Sequence, residues 1–287
     1  MESASKTKLC AVIGDPVEHS LSPVMHNAAF KALNLNYTYI ALRVEKKKLR
    51  EAIVWLRNIG IHGLSVTMPH KVDIIKYLDQ IDWLAEDIGA VNTVLNENGQ
   101  LIGYNTDGIG ALRAIKEKVP NLRGKKVVML GAGGAARAIG FTLAGEDVEL
   151  TILNRTGGKA VRLADFLKKM FRGMVSGSKL DKRTLQTALS NVDILINATE
   201  VGMSPRTNET LVTRRSIKPS LTVFDVVYAP LETRLLREAA AVGATTVNGA
   251  KMLVYQGAEA FKIWTRLDAP VEVMWNAVLN EIRRRGL

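Results

Sequence analysis

A glycine-rich turn between a short apolar strand and a helix constrains this chain more than any other feature. The strand covers residues 127–130, and Gly131-Ala132-Gly133-Gly134-Ala135-Ala136 follows it and opens a helical pattern. Gly131 permits a tight turn, Gly133 lets the backbone approach a pyrophosphate, and Ala136 keeps the helix close to the strand. The helix N-terminus then faces the phosphates. Strand, spacing and helix together predict a Rossmann-type dinucleotide site, although glycines also serve ordinary turns.

The end of the next strand predicts which dinucleotide binds. This strand covers residues 149–153 and ends in Asn154-Arg155-Thr156, at the distance where an NAD enzyme places an acidic residue for the ribose 2′-hydroxyl. No acidic residue is present in this tripeptide. Arg155 can stack on adenine and pair with a 2′-phosphate, its two neighbours can donate hydrogen bonds, and Lys159 is a further donor. The segment therefore favours NADP over NAD, on the condition that the glycine-rich fingerprint is real.

Apolar runs of strand length alternate with helical periodicity along almost the whole chain. This alternation predicts an α/β fold with largely parallel sheets, and two systems of strands can be separated. The strands of the first system, which include a hairpin joined by Asn96-Glu97-Asn98-Gly99, are expected at residues 9–13, 37–44, 63–66, 90–95 and 100–104. The strands of the second system are expected at residues 127–130, 149–153, 193–197, 221–227 and 245–247.

Two helices close the chain, and no strand is predicted after them. They are expected at about residues 250–265 and 271–285, separated by Asp268-Ala269-Pro270. Because the second sheet already has a complete series of strands and helices, we expect these two helices to return to the first domain. The predicted domains are a first domain made of residues 1–105 and 249–287, and a Rossmann NADP-binding domain made of residues 106–248.

Composition argues against several classes of protein. The 287 residues carry a formal net charge of +11, but the basic residues are scattered without interleaved aromatics, which favours solvated helix faces over a nucleic-acid surface. The apolar runs are far shorter than the roughly 18 residues that span a bilayer, and the first residues lack the pattern of a signal peptide. A cytoplasmic protein is therefore expected. The single cysteine, Cys10, cannot form an internal disulfide, and the four dispersed histidines predict no metal site.

Polar residues gather where several predicted strands of the first domain end. Ser22 is suited to the N-cap of a helix, and Ser20 beside it adds a second hydroxyl that can bind a carboxylate. Lys71 is expected at a helix start, where a cation is electrostatically unfavourable and therefore indicates a function. The segments 89–93 and 103–108 also put polar residues at strand edges. Helix capping, solvent exposure and ordinary turns explain each feature at least as well when it is taken alone.

Taken together, these segments resemble the shikimate dehydrogenases over essentially the whole chain. The matching motifs follow the order of the family, and their conjunction is far more specific than any one of them. They are Gly14-Asp15-Pro16, His19-Ser20-Leu21-Ser22-Pro23, Val66-Thr67-Met68-Pro69-His70-Lys71, Gly89-Ala90-Val91-Asn92-Thr93, Asn105-Thr106-Asp107-Gly108, the glycine-rich turn, Asn154-Arg155-Thr156, Asn197-Ala198-Thr199 with Gly202-Met203, and Met252-Leu253-Val254-Tyr255-Gln256-Gly257-Ala258. Two positions depart from the family: Ser65 stands where many members carry Asn, and Glu200 where a small residue or Pro is usual.

The resemblance implies the reversible NADPH-dependent reduction of 3-dehydroshikimate to shikimate, a step in the synthesis of chorismate and the aromatic amino acids. It assigns substrate binding and catalysis to the first domain. The residues implied for the substrate are Ser20 and Ser22 at its carboxylate with Tyr228 nearby, Thr67, Asn92 and Gln256 at its ring hydroxyls, and Lys71 and Asp107 beside the reacting carbonyl. The residues implied for NADP are Gly131, Ala132, Gly133, Gly134, Ala135, Ala136, Asn154, Arg155, Thr156, Lys159, Thr199, Gly249 and Met252.

Lys71 and Asp107 are the residues that the resemblance implies for catalysis. The ammonium group would hydrogen-bond the carbonyl oxygen, stabilise negative charge on it, and deliver or relay a proton, while the carboxylate would orient the ammonium group. The two groups are expected to titrate as a coupled pair, so the transferred proton is assigned to neither.

Two alternatives remain open at this point. The first is a dehydrogenase that acts on quinate, alone or together with shikimate, or on an amino-substituted relative, because closely related pockets use similar residues. The second is a non-catalytic NADP-sensing regulator on the same scaffold, against which the retention of both Lys71 and Asp107 argues. In each case the partners are small molecules, with no nucleic acid and no membrane, and a homodimer is one of the assemblies left open.

Overall fold

The computed structural model describes residues 7–286 and divides the chain into two compact units. The first unit comprises the residues up to Thr106 together with Gln256–Arg284. The second unit comprises Asp107–Tyr255 and the residues from Arg285 on. The chain therefore leaves the first unit after Thr106 and re-enters it at Gln256.

The sheet of the first unit mixes parallel and antiparallel strands. Its strands are β1 (Lys8–Gly14), β2 (Tyr37–Arg43), β3 (Gly63–Val66), β4 (Gln80–Ile81), β5 (Thr93–Glu97) and β6 (Gln100–Tyr104). They lie in the order β2-β1-β3-β5-β6-β4. β1 pairs in parallel with β2 and β3, and β4 pairs in parallel with β6. β5 pairs antiparallel with β3 and β6, so three of the five pairings are parallel.

The predicted hairpin has a tighter turn than expected. We predicted that residues 96–99 connect the two strands, but Glu97 pairs with Gln100 and extends the ladder. Only Asn98 and Gly99 lie between the strands, and both have positive φ values, 55° and 88°. Two successive left-handed residues match the turn type that follows the twist of a hairpin, for which Asn-Gly is a preferred pair.

Helices and 3₁₀ turns connect the strands of the first unit. The helices in this part of the chain are α1 (Ser22–Ala32), α2 (Leu49–Asn58) and α3 (Trp83–Ile88). The buried residues of α2 are Leu49, Ile53 and Leu56, and their spacing of four and three places them on one helix face. This face packs against buried side chains of β1 and β3 in one hydrophobic cluster.

Gly63 is a position where the sheet tolerates no side chain. A Cβ atom there would lie 2.7 Å from Cδ1 and Nε1 of Trp264, whose indole is 2% exposed and donates to the Val94 carbonyl oxygen at 2.9 Å. Because this indole is tightly held, we expect Gly63→Ala to lower the free energy of unfolding by about 2–3 kcal/mol, measured by urea unfolding. Gly173→Ala is the control, since no atom lies within 4 Å of a Cβ there, and about 0.5 kcal/mol or less is expected. Equal unfolding midpoints for both variants would contradict the close packing.

The sheet of the second unit is wholly parallel. Its strands are β7 (Lys126–Leu130), β8 (Glu149–Asn154), β9 (Val175–Lys179), β10 (Ile194–Asn197), β11 (Thr222–Asp225) and β12 (Thr245–Val247). Their order is β12-β11-β10-β7-β8-β9, and every pairing is parallel. If β7 is numbered 1 and the later strands are numbered in chain order, the sheet read from its β9 edge has the order 3-2-1-4-5-6. This is the strand order of the Rossmann fold. The fold class predicted from the sequence is confirmed.

The sequence did not predict strand β9. Its residues, Val175-Ser176-Gly177-Ser178-Lys179, include only one buried side chain, that of Val175. β9 is an edge strand that pairs with β8 alone, so its polar side chains remain accessible to solvent. An edge strand of this kind lacks the apolar run on which the sequence prediction depended.

The helices of the second unit precede β7 or connect its parallel strands, except between β10 and β11, where the chain forms a 3₁₀ turn, Arg214–Ser216. They are α4 (Asp107–Lys116), α5 (Gly134–Ala144), α6 (Gly157–Phe171), α7 (Lys182–Leu189) and α8 (Arg234–Ala240). The chain ends with α9 (Gly249–Thr265) and α10 (Val271–Arg285). The division between the units falls after Tyr255, so it lies inside α9 rather than at the first residue of that helix.

Candidate active site

One edge of the first sheet gathers the polar segments that the sequence singled out. β1 and β3 end side by side, since Ile13 pairs with Val66, and β5 begins beside the end of β3, since Ser65 pairs with Thr93. Thr93 also pairs with Tyr104, the last residue of β6. We refer to this edge, where β1, β3 and β6 end and β5 begins, as the carboxyl edge of the first sheet. Ligands of α/β proteins commonly bind at such an edge.

Asn92 is the centre of a buried hydrogen-bond cluster at the carboxyl edge. Its side chain is 3% exposed, and its Nδ2 donates to Thr106 Oγ1 at 2.9 Å and to Gln256 Oε1 at 3.2 Å. Its Oδ1 accepts from the backbone N–H of Thr106 at 2.8 Å and from Thr93 Oγ1 at 3.0 Å. The cluster joins β5, the end of β6 and α9. Asn92 and Gln256, two residues predicted to hold ring hydroxyls, therefore lie in direct contact.

The two serines of the first motif lie on one turn at the start of α1. The backbone N–H of Ser22 donates to Ser20 Oγ at 3.3 Å, and the Ser22 side chain is buried. The predicted N-cap role of Ser22 is wrong, because Leu21 occupies the N-cap and Ser22 is the first helical residue.

Thr67 and Lys71 follow β3 at the same edge. A Cβ on Gly14 would collide with Thr67 Cγ2, so the loop after β1 approaches Thr67 closely only because residue 14 is glycine. The Lys71 carbonyl oxygen accepts from the Val91 N–H at 2.7 Å, which places the Lys71 backbone beside the Asn92 segment. A 3₁₀ turn, Asp73–Tyr77, follows Lys71 instead of the expected helix start. Lys71 therefore does not begin a helix, and the unfavourable helix dipole predicted for it is wrong.

Two further residues predicted for the substrate belong to the second unit. Asp107 is the first residue of α4, follows Thr106 directly, and is 3% exposed. Tyr228 follows β11 and is partly buried, and its burial raises the pKa of its hydroxyl. The pairing of Asp107 with Lys71, and the approach of Tyr228 to the substrate carboxylate, stay predictions.

The turn between β7 and α5 has the features that a dinucleotide pyrophosphate requires. Gly131 has a φ of 118°, and a Cβ there would lie 2.7 Å from the Ala198 carbonyl oxygen. No atom lies within 4 Å of a Cβ built on Gly133, so the backbone at this residue faces open space. Ala136 is fully buried, which keeps α5 close to the sheet. A phosphate group can approach the N–H groups at the start of this eleven-residue helix, which fits the predicted cofactor.

The end of β8 presents two cations to solvent. Arg155 and Lys159 are exposed, and neither forms an ion pair with any residue of the described range 7–286. Thr156 is the N-cap residue of α6 but makes no side-chain capping bond. The Nδ2 of Asn154 donates to the Thr156 carbonyl oxygen at 3.0 Å, so Asn154 shapes the turn. The two cations and the Thr156 hydroxyl are a donor set that suits a 2′-phosphate.

The loops after β10 and β11 are held by a buried carboxylate that the sequence prediction missed. Asp225 Oδ1 accepts from Asn197 Nδ2 at 2.9 Å and from the Val227 N–H at 3.1 Å, and its Oδ2 accepts from Thr233 Oγ1 at 2.6 Å. Asn197 Oδ1 in turn accepts from Thr199 Oγ1 at 2.6 Å. The signal was present in the sequence, because Asp225 interrupts an apolar strand. A carboxylate in such a place is expected to have buried partners.

The remaining residues predicted for the cofactor lie near these loops. A Cβ on Gly249 would collide with the Val226 carbonyl oxygen and lie 2.6 Å from that of Val227, so only glycine allows α9 to begin there. Met252 is 7% exposed, and Glu200, a departure from the family, is exposed. Thr199, Gly249 and Met252 all belong to the second unit, as do the glycine-rich turn and Arg155.

The ionisation of Asp225 gives a prediction about stability. Burial raises its pKa from 3.8 to about 6, against the opposing effect of its hydrogen bonds from Thr233, Val227 and Asn197. Because the folded pKa is the higher one, its stabilising contribution is present below pH 3.8 and is lost as the pH rises through 6. When the pH is raised from 4 to 7.5, we therefore expect the difference in unfolding free energy between Asp225→Asn and wild type to change by about 2 kcal/mol in favour of the variant.

Urea unfolding at pH 4 and pH 7.5 measures this difference. Asp165→Asn serves as the control, because Asp165 is exposed on α6. Its unfolding free energy should follow that of the wild type at both pH values. The same pH dependence in Asp225→Asn as in wild type would show that Asp225 does not titrate in this range.

Two kinds of feature are absent from the described part of the chain. Within residues 7–286, no group of three or more His, Cys, Asp or Glu side chains is arranged to hold a metal ion. In the same range, no helix combines the length and the apolar character needed to cross a membrane.

The chain matches three family models in succession. The model described as the shikimate dehydrogenase substrate binding domain matches residues 12–94. The model described as shikimate / quinate 5-dehydrogenase matches residues 113–228. The model described as the shikimate 5′-dehydrogenase C-terminal domain matches residues 249–279.

Individual relatives match over almost their full length. A protein of Methanosarcina acetivorans named shikimate dehydrogenase (NADP(+)) is 50% identical over 280 residues, which are 96% of this chain and 99% of the relative. A crystal structure of a shikimate dehydrogenase in complex with NADP+ has a TM-score of 0.91 at 47% identity, and the match covers 97% of this chain and 96% of that one. The Thermus thermophilus shikimate 5-dehydrogenase in complex with NADP(H) and shikimate has a TM-score of 0.85 at 36% identity, covering 98% and 100%.

Proposed function

Because this chain belongs to the shikimate dehydrogenase family, we propose that it catalyses the reversible NADPH-dependent reduction of 3-dehydroshikimate to shikimate. The observation that carries this proposal is the contact of the buried Asn92 side chain with Gln256 at the carboxyl edge, beside the Thr67 segment. Carboxamides held in this way can donate to and accept from neighbouring hydroxyls of one ring. A ligand with several ring hydroxyls is the class that suits such a site.

The substrate carboxylate is assigned to the serine pair. Ser20 and Ser22 lie on one turn, and each hydroxyl can donate a hydrogen bond to a carboxylate oxygen. Tyr228 is proposed as a third donor to the same group. Thr67, Asn92 and Gln256 are proposed to hold the ring hydroxyls, which would fix the position of the carbonyl carbon within the site.

Lys71 and Asp107 are proposed as the catalytic residues. When it is bound, NADPH supplies the hydride. The Lys71 ammonium group would donate a hydrogen bond to the substrate carbonyl oxygen, stabilise the negative charge that develops there, and pass a proton to it. The Asp107 carboxylate would orient that ammonium group. In the reverse direction the same pair would remove the proton from the hydroxyl of shikimate.

The cofactor is assigned to the second unit. The turn formed by Gly131, Ala132, Gly133, Gly134, Ala135 and Ala136 would hold the pyrophosphate at the N-terminus of α5. Arg155, Thr156 and Lys159 would bind the 2′-phosphate, and Asn154 would shape their turn. Thr199, Gly249 and Met252 are proposed to line the nicotinamide side of this site.

A spectrophotometric assay of NADP reduction tests the proposal. With shikimate the purified chain should form NADPH, and quinate should support a much lower rate. Equal rates with the two substrates would assign a quinate/shikimate dehydrogenase. NADP binding without turnover of either substrate would assign an NADP-sensing regulator.

We also propose where this protein is located in the cell and which oligomeric state to test first. NADPH and a small anionic substrate are cytoplasmic solutes, so the cytoplasm is the location that we propose, and cell fractionation tests it. A homodimer is the assembly to test first against a monomer. Light scattering distinguishes the two, because the chain mass is 31.4 kDa.

A further inference from the structure

The side chain of Asn197 uses its whole hydrogen-bonding capacity within the second unit. It is 2% exposed, and its Nδ2 donates to Asp225 Oδ1 at 2.9 Å and to the Val201 carbonyl oxygen at 3.1 Å. Its Oδ1 accepts twice from Thr199, from the hydroxyl at 2.6 Å and from the backbone N–H at 3.2 Å. A carboxamide has two hydrogens and two lone pairs on its oxygen, and all four are used here.

Backbone groups fix the direction of these hydrogen bonds. The Val201 carbonyl oxygen can only accept and the Thr199 N–H can only donate, so the amide of Asn197 has a single possible orientation. Its Oδ1 therefore faces the Thr199 hydroxyl and accepts the hydrogen of that group. Its Nδ2 faces Asp225, so the buried carboxylate holds the opposite end of the same amide.

The Thr199 hydroxyl can consequently offer only a lone pair to a ligand. Its one hydrogen goes to Asn197, and its oxygen also accepts from the Val201 N–H at 3.2 Å. A hydroxyl oxygen has two lone pairs, so one of them remains, and the side chain of Thr199 is only partly buried. An ionised phosphate has no hydrogen to donate to this lone pair. The matching ligand group is an N–H or an O–H.

Thr199 lies beside the glycine-rich turn. Asn197 pairs with Leu130, the last residue of β7, and the Ala198 N–H donates to the Leu130 carbonyl oxygen at 2.8 Å. A Cβ on Gly131 would lie 3.2 Å from Thr199 Cγ2. In the sheet, β10 lies on one side of β7, and β8, which carries the proposed 2′-phosphate site, lies on the other. A dinucleotide with its pyrophosphate at the end of β7 and its adenosine at the end of β8 directs its nicotinamide half towards β10.

A carboxylate suits position 225 because all its hydrogen-bond partners are donors. Asp225 Oδ1 accepts from Asn197 Nδ2 and from the Val227 N–H, and Oδ2 accepts from Thr233 Oγ1. Removing this carboxylate would leave one hydrogen of Asn197 buried without an acceptor, which is costly. The amide of Asn197 would then be held less firmly, and so would the Thr199 hydroxyl that depends on it.

We propose that the Thr199 hydroxyl accepts a hydrogen bond from the nicotinamide half of NADP, and that Asp225 is a positioning residue that holds Thr199 in this state through Asn197. The groups of that half which can donate are the carboxamide NH2 and the ribose hydroxyls. The inference rests on the proposed function, because it takes NADP as the ligand of the glycine-rich turn. Asp225 is itself fully buried and need not touch the cofactor.

Thr199→Val tests the acceptor, because it removes the hydroxyl and keeps the shape of the side chain. Calorimetric titration should give a Kd for NADP about threefold to tenfold above that of wild type, as the loss of one hydrogen bond allows. Thr199→Ser, which restores a hydroxyl, should recover most of the affinity. KM for shikimate, measured at saturating NADP, should stay at the wild-type value.

Thr210→Val is the matched control. The Thr210 hydroxyl donates to the Val212 carbonyl oxygen at 2.8 Å and accepts from the Val212 N–H at 3.3 Å, so a partly buried loop hydroxyl of the same kind is removed. Thr210 is not among the residues proposed for the cofactor, and the Kd for NADP should match that of wild type. A Kd that is unchanged in Thr199→Val as well would overturn the inference.

A cofactor analogue identifies the donor on the nicotinamide half. In the 3-acetylpyridine analogue of NADP a methyl group replaces the carboxamide NH2, so its pyridine substituent has no N–H group. If the carboxamide is the donor, Thr199→Val and wild type should bind the analogue equally well. If a ribose hydroxyl is the donor, Thr199→Val should lose as much affinity for the analogue as for NADP. Either result supports the inference.

Two substitutions of Asp225 test the positioning role. Asp225→Ala should raise the Kd for NADP about threefold to tenfold, and Asp225→Asn should raise it less, because its amide oxygen can still accept from Asn197 Nδ2. Added to Thr199→Val, Asp225→Ala should weaken binding by less than about twofold more, since both act on one hydrogen bond. Equal weakening by the two Asp225 variants, or additive effects in the double variant, would overturn the positioning role. Asn197→Ala tests the same link if Asp225→Ala fails to fold.

The outcomes distinguish this inference from the proposed function. A wild-type chain that binds NADP but does not oxidise shikimate overturns the proposed function alone, and the binding measurements still decide the inference. An active wild type whose Kd for NADP is unchanged in Thr199→Val overturns the inference alone. A wild-type chain that does not bind NADP overturns both.

Discussion

Replacing Lys71 with alanine should lower kcat for shikimate oxidation by about 10²–10⁴-fold, the range typical for the loss of a general acid or base. The physical reason is the loss of the ammonium group that would stabilise charge on the carbonyl oxygen and handle the proton. The affinity for NADPH should be retained, because Lys71 belongs to the first unit and the proposed NADP-binding residues belong to the second. Steady-state kinetics and fluorescence titration with NADPH measure the two effects.

Lys76→Ala is the matched control for this variant. Lys76 is an exposed lysine in the 3₁₀ turn that follows Lys71, and its ammonium group lies 3.4 Å from Asp73 Oδ1. Its removal takes away the same charge from the same segment, and kcat should remain close to that of the wild type. Near-normal turnover in Lys71→Ala would remove Lys71 from the mechanism.

The second large effect concerns the choice of cofactor. Arg155→Asp should lower the ratio of kcat/KM for NADP to kcat/KM for NAD by about 10²–10³-fold, since a charge-assisted pair is lost and a repulsive charge is added. An aspartate at this position can also accept a hydrogen bond from the ribose 2′-hydroxyl of NAD. Arg155 is exposed and forms no ion pair with the residues that the structure describes, so its replacement should leave the fold intact.

Lys169→Asp is the matched control for this variant, because it makes the same change of charge near the C-terminal end of α6, whereas Arg155 lies just before the start of that helix. Lys169 is exposed and lies in the last turn of this helix, so the net charge changes equally but the 2′-phosphate site does not. Its ratio of NADP to NAD activity should match that of the wild type. If the ratio for Arg155→Asp is also unchanged, the 2′-phosphate is bound elsewhere.

The parts that could be predicted from the sequence are those whose cause is local. The glycine-rich turn lies directly between β7 and α5, so strand, turn and helix are visible in one short window. The absence of an acidic residue after β8 and the Asn-Gly turn of the hairpin are local in the same way. Where the local signal is weak, the prediction failed. β9 has a single buried side chain, and Ser22 resembles a helix cap although Leu21 occupies that position.

The tertiary structure alone decided which distant residues meet. Asn92 contacts Gln256, which lies 164 positions away in the chain, and the Tyr39 hydroxyl donates to Ser65, whose strand β3 lies beyond β1 in the sheet. Local periodicity and turn chemistry determine where elements begin and end, and so the sequence alone identified the α/β class and the dinucleotide turn. Strand order and register are set by packing over the whole sheet, which no short window contains. The contacts of the buried Asp225 and the hydrogen bond from Tyr39 to Ser65 therefore became visible only in the folded chain.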